Sequence, residues 1–130
     1  LRRFIAILFL TLVFAGPAFA GSGAIQTTLY FGMDMGGGKH VGEKQWRNFL
    51  ADTVTPRFPD GFTVLAGSGQ WRDPKDKSGK INSEATKIVI IIHADTPASA
   101  KAVAEVKSAY LKRFYQQSVL QTDQPVHIVE

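Results

Sequence analysis

Cysteine is missing from all 130 residues. Disulfides, thiol nucleophiles and zinc–thiolate centres are thereby excluded, and the hydrophobic core alone has to hold the fold, even in an oxidising compartment. A run of basic residues is missing too. The formal net charge is +4, but lysines and arginines are scattered with no aromatic interleaving, so no phosphate-binding stripe forms and nucleic acid is not an expected partner. Metal and cofactor motifs are also absent. His93 and His127 have no evident third ligand, and the segment MGGGKH, Met35 to His40, lacks the GxxxxGK[ST] spacing of a phosphate loop. No metal and no cofactor are therefore expected.

There is one long apolar run, Phe4 to Ala15, preceded by Arg2 and Arg3 and followed by Pro17 and the small-residue pattern Ala18-Phe19-Ala20. This is the pattern of a secretory signal peptide cleaved after Ala20. The run is shorter than the roughly 20 apolar residues of a membrane span, and Gly16-Pro17 breaks any helix after it. Residues 1–20 are read as signal peptide and residues 21–130 as a single α+β domain, periplasmic or secreted, with no membrane contact after cleavage. Cleavage removes two of the 15 basic residues, leaving 13 against 11 acidic ones, a balance of +2.

Along the mature chain the elements alternate. Ile25 to Gly32 reads as a strand and MDMGGGKHVG as an irregular loop. Glu43 to Val54 places Trp46, Phe49, Leu50, Thr53 and Val54 on one face of a helix that Pro56 stops. Phe62 to Trp71 is a second strand, Asp73 to Ser83 a polar hairpin loop, and KIVIIIH, Lys87 to His93, a third strand. Thr96-Pro97 opens a second helix running to Tyr115 or Gln116, and Val126 to Val129 is a last strand. The order βαββαβ predicts a ferredoxin-like α+β sandwich: a four-stranded antiparallel sheet of order 4-1-3-2 with both helices on one face.

The third strand is apolar on both parities, Ile88, Ile90 and Ile92 on one and Val89 and Ile91 on the other. A half-exposed sheet shows polar residues outward, and a large apolar patch on a monomer is uncommon. A homodimer through the open sheet face is the expected cover.

The candidate site is at GSGQWRDP, Gly67 to Pro74. Strand alternation puts Leu65, Gly67, Gly69 and Trp71 on one face, where two missing side chains beside a large ring leave a groove. The topology gathers Lys39, His40, Gln70, Trp71, Arg72, Asp73 and Asp123 at that end of the sheet. The ligand-binding residues expected are Trp71, Arg72, Gln70, Lys39 and His40, with Trp71 as a flat wall and Arg72 or Lys39 meeting an anionic group. The other reading has Trp71 plugging the end of the core and Arg72 paired with Asp73 or Glu84. Arg57, in TPRFPDG at the opposite end, reads as structural, complementing a helix C-terminus.

With TPRFPDG, GQWRDP and QQSVLQTDQPVHIV in view, from about Thr28 onward the chain resembles a family of small exported bacterial proteins catalogued only as a domain of unknown function. The resemblance implies bacterial origin, export and an α+β fold, and maps no catalytic residue. Three functions follow as expectations. The first is an exported protein binding a small anionic or aromatic ligand near the end of the second strand. The second is a small cofactor-free enzyme of dimeric α/β-barrel type with His40 or Asp73 as acid or base, and the third a structural or partner-binding envelope protein.

Overall fold

The structure, a computed structural model, describes residues 23–129. The expected signal segment, residues 1–20, lies outside the described residues. Six strands and two helices follow in the order β1 (Ala24–Gly32), β2 (Asp34–Gly36), β3 (Lys39–His40), α1 (Glu43–Phe49), β4 (Thr63–Arg72), β5 (Ile81–Ala94), α2 (Pro97–Phe114) and β6 (Leu120–Val126). The main sheet is four-stranded and antiparallel, with order β4-β5-β1-β6. This is written differently from 4-1-3-2 because β2 and β3, a two-stranded sheet inside the stretch read as loop, take two places in the count. Three consecutive glycines make that hairpin: Gly36, Gly37 and Gly38 have φ of 79°, 60° and 75°, which side-chain-bearing residues rarely adopt.

In α1 the periodicity read from the sequence is kept. Trp46 and Phe49 are buried, and the helix widens into one π turn, Leu50–Val54, whose Thr53 and Val54 are buried as well. Helix α2 begins at Thr96, whose hydroxyl accepts from Ser99 N at 3.2 Å, and ends at Tyr115, a left-handed residue with φ of 54°.

Register decides which way each strand faces. Leu29 lies opposite Val89 and Thr27 opposite Ile91, so the odd residues of β1 and β5 share one side. That side meets Trp46, Phe49, Val106, Tyr110 and Phe114 from the two helices in one core. Phe31 is its centre, with ring centroids 5.3 Å from Trp46, 5.8 Å from Phe49 and 4.7 Å from Tyr110. Such tilted and edge-on pairs add about 0.5–1.5 kcal/mol each to the burial of the rings.

Two strands differ from their expected bounds by more than one residue. β5 starts at Ile81 rather than Lys87, because the polar, alternating INSEAT pairs with β4 throughout. The last strand is Leu120–Val126 rather than Val126 to Val129. It is an outer strand with mostly exposed side chains, so hydrophobic alternation, the signal sought in the sequence, is weakest there.

Candidate ligand groove

The β4–β5 hairpin outruns the rest of the main sheet. β1 stops at Gly32 opposite Thr86, whereas β4 and β5 go on pairing to Arg72 opposite Ile81. The overhanging ribbon makes one wall of a groove of about 850 Å³, with Trp71, Lys80 and Ile81. Tyr30, Gly32, Glu84 and Thr86 form its floor on the side of the sheet away from the helices. The far wall comes from Asp34, Met35 and Gly36 of β2 and from the turn after α2, Tyr115 to Ser118, with Leu120.

Trp71 is 53% exposed, so it lines the groove and does not plug the core. The plug is the other tryptophan, Trp46, at 2%. Leu65, Gly67, Gly69 and Trp71 do share one face, but the glycines leave less open space than the sequence suggests. Ile88 Cδ1 and Thr86 Oγ1 lie 3.4 and 3.2 Å from where a Cβ on Gly67 and Gly69 would stand. The cavity opens further along, where β1 has ended.

Glu84 is the groove's distinctive polar group. Its carboxylate lies over Gly32, with Oε2 2.9 Å from the position a Cβ would take, and faces Asp34 N at 3.4 Å. A side chain at position 32 would push it away. Glu84 takes part in none of the ion pairs among the described residues. Behind it, Tyr110 donates to Gly32 O at 2.6 Å. Burial, and then the nearby Glu84 charge, push the Tyr110 phenol well above the ordinary tyrosine range.

Of the other expected site residues, none lines the groove. Gln70 and Arg72 alternate with Trp71 along β4 and are exposed on the side opposite to it. Arg72 joins no ion pair among the described residues, neither with Asp73 nor with Glu84. Lys39 and His40 are exposed in β3, His40 opposite Asp34. Asp73 accepts from Lys75 N at 2.8 Å and shapes the hairpin turn. Asp123 is away from this end, in the middle of β6 opposite Thr27.

Sequence reasoning missed Glu84, Tyr30 and Tyr115. The first two share the parity of Trp71 on the paired strands, a signal available only once the register is known. Tyr115 reaches the groove because it ends α2 in a left-handed conformation.

A second cavity, about 410 Å³, lies at the other end of the sheet under TPRFPDG, lined by Arg57, Phe58, Asp60, His93 and Ser99 among others. Two of its polar side chains, Arg57 and His93, are already engaged. Arg57 pairs with Glu105 at 3.0 Å and donates to Thr53 O at 2.8 Å, the structural role its position suggested. His93 Nε2 lies 2.8 Å from Thr27 Oγ1 and Nδ1 2.9 Å from Ala94 O, while Thr27 donates to Asp123 at 2.6 Å. No ring nitrogen of His93 is left for a ligand. Among the described residues, no group of three metal-ligating side chains occurs, and no helix is long and apolar enough to cross a membrane.

An antiparallel four-stranded sheet with two helices and a groove on its uncovered side defines a small α+β protein. The chain belongs to the family described as "Protein of unknown function (DUF3574)", whose model matches residues 26–129. No curated protein matches it. Among solved structures it is similar to a phage SAM lyase in complex with S-methyl-5'-thioadenosine, with a TM-score of 0.63 and 17% identity over 81% of this chain and 83% of that one. It is also similar to CutA1 from Oryza sativa, with a TM-score of 0.52 and 7% identity over 84% of each chain. At these identities the likeness is one of fold.

Proposed function

We propose that the protein is an exported binding protein on a ferredoxin-like βαββαβ frame. Its groove takes a small planar aromatic ligand among Trp71, Tyr30 and Tyr115, with Glu84 as hydrogen-bond acceptor. The observation that carries this reading is the groove itself: three aromatic side chains around a half-buried carboxylate without a cation partner among the described residues. Aromatic walls with a few convergent polar groups are what a small-ligand site needs.

Between an anionic and an aromatic ligand, the charges favour the second. An anion entering the groove meets Asp34 and Glu84 against Lys80 alone, whereas the N–H groups of an amino-substituted heterocycle complement Glu84. A positive charge on the ligand gains further from the ring faces. The phage lyase of similar fold is described with S-methyl-5'-thioadenosine bound, which makes purine nucleosides the first class to try. Export rests on Arg2-Arg3, the apolar run and Ala18-Phe19-Ala20.

Isothermal titration with adenosine and with S-methyl-5'-thioadenosine tests the reading. Wild type is expected to bind one of them, and Trp71→Ala and Glu84→Gln each to weaken binding about tenfold or more, some 1.4 kcal/mol. Absence of heat with both nucleosides, together with no small molecule retained in native mass spectra of protein from its own cells, overturns it. Tighter binding of benzoate in Glu84→Gln would instead mark an anion site.

A further inference from the structure

Outer strands of natural sheets are guarded by lysine, proline, bulges or inward charges, because an unpaired edge is a template for another chain. The two edges of this sheet are treated differently. β6 carries Asp123 and Pro125. β4 reads TVLAGSGQWR, ten residues in unbroken register with β5, free of proline, lysine and acidic residues, and charged only at its last position. Since β5 pairs with β4 on one flank, the main sheet leaves backbone donors and acceptors open on the other among the described residues.

β4 is also complementary to itself. Two antiparallel copies keep their faces aligned only in registers that set residues of like parity opposite each other. With Ser68 opposite the second copy's Ser68, Gly67 meets Gly69 and Leu65 meets Trp71, and by symmetry each contact is made twice. Leu65 and Trp71 are both on the open side of the sheet and 48% and 53% exposed. Centring the pair on Gly67 instead puts Leu65 opposite Gly69 and Trp71 opposite Thr63, which loses both apolar contacts. Small residues around the axis, Ala66 to Gly69, let the two backbones meet without obstruction.

We infer that β4 pairs edge to edge with β4 of a second copy, antiparallel about a two-fold axis through Ser68. Leu65 of each copy packs on Trp71 of the other, and the two four-stranded sheets join into one. This places the second copy on the edge and not over the open face that the sequence pointed to. On that face Ile88 and Ile90 are already half-buried, Ile88 leaning over the bare centre of β4 at Gly67. The inference is independent of any ligand in the groove, although it puts the second copy's Leu65 behind the groove's tryptophan.

A strand of this length offers an edge about 34 Å long and some 10 Å deep, roughly 350 Å² per copy against roughly 800 Å² in a standard interface. The pair is therefore weak and concentration-dependent, in the micromolar range.

A chain without cysteine makes the test direct. Residues directly opposite on paired strands have Cβ atoms about 4.5–5.5 Å apart, close to the span of a disulfide. Under mild oxidation, Ser68→Cys is expected to become a covalent dimer, whereas Gln70→Cys, which faces the second copy's Ala66, stays uncross-linked. Sedimentation equilibrium of the full chain should show a monomer–dimer equilibrium for wild type. Ser68→Lys, which sets two like charges face to face, should give monomer alone with an unchanged melting temperature. A wild type that is monomeric at all concentrations, a trimer or larger ring, or a dimer in which Ser68→Cys does not cross-link overturns the inference, the last by moving the contact elsewhere.

Discussion

On the helix side of the main sheet aromatic rings close on one another; on the other side they stand at the rim of a groove. Phe31, Trp46, Phe49 and Tyr110 are all at 0–2% exposure, while Trp71 is at 53% and Tyr115 at 82%. The residue types are alike, so the difference comes from what each ring has to pack against. Two helices cover the odd parity of β1 and β5, whereas beyond Gly32 the main sheet narrows to a two-stranded ribbon. The same chemistry is cohesion in one place and a binding surface in the other.

Exchanging the two tryptophans for alanine is the strongest way to break that comparison. Trp46→Ala is expected to cost about 3–5 kcal/mol in urea unfolding, as large-to-small core changes do. If Trp46→Ala and Trp71→Ala destabilise equally, the two sides are not distinct.

Thr27→Val comes next. It keeps the shape but removes the hydroxyl that links Asp123 to His93, leaving the buried His93 Nε2 unpartnered at a cost of about 1–3 kcal/mol. The matching unfolding curve should shift its midpoint without changing slope.

A smaller effect, about 0.5–1.5 kcal/mol, is expected for Tyr110→Phe, which loses the bond to Gly32 O. It carries a pH signature. The folded phenol is raised above its unfolded value of about 10, so its contribution is fully present below that pH and is lost as pH rises through the folded value. Wild type should therefore lose stability in strong alkali more steeply than Tyr110→Phe, as thermal melts across pH 8 to 12 would report.

Smallest is Trp71→Ala, expected to change stability by no more than about 0.5 kcal/mol, as surface substitutions do. Its fluorescence should be the sharper reading. The exposed indole is quenched by iodide in wild type, and the variant keeps only the shielded signal of Trp46.

Much of the frame was legible in the chain. The helical spacing of Trp46, Phe49 and Val54, the cap at Thr96-Pro97 and the apolar KIVIIIH lie where local propensity and burial agree. β6 and the first half of β5 were harder to place, because polar strands on an edge or a ribbon lack the alternation that marks a half-buried one. The groove was legible in only one residue. Trp71 stood out by its type and its glycine neighbours, while Gln70, Arg72, Lys39 and His40 were gathered by adjacency along the chain and at one end of the sheet.

Composition and periodicity thus settled what local rules can settle: no cysteine chemistry, two amphipathic helices and an apolar central strand. Register settled the rest. Which parity of each strand meets the helices, that Glu84 comes to lie over Gly32, and that Tyr30, Trp71 and Tyr115 share a groove are consequences of pairing between residues as far apart along the chain as Ala24 and Ala94, in strands that carry no local mark of their partners. A side chain's neighbours across a sheet depend on the alignment of two strands, and one residue of slip would turn each of them to the other face.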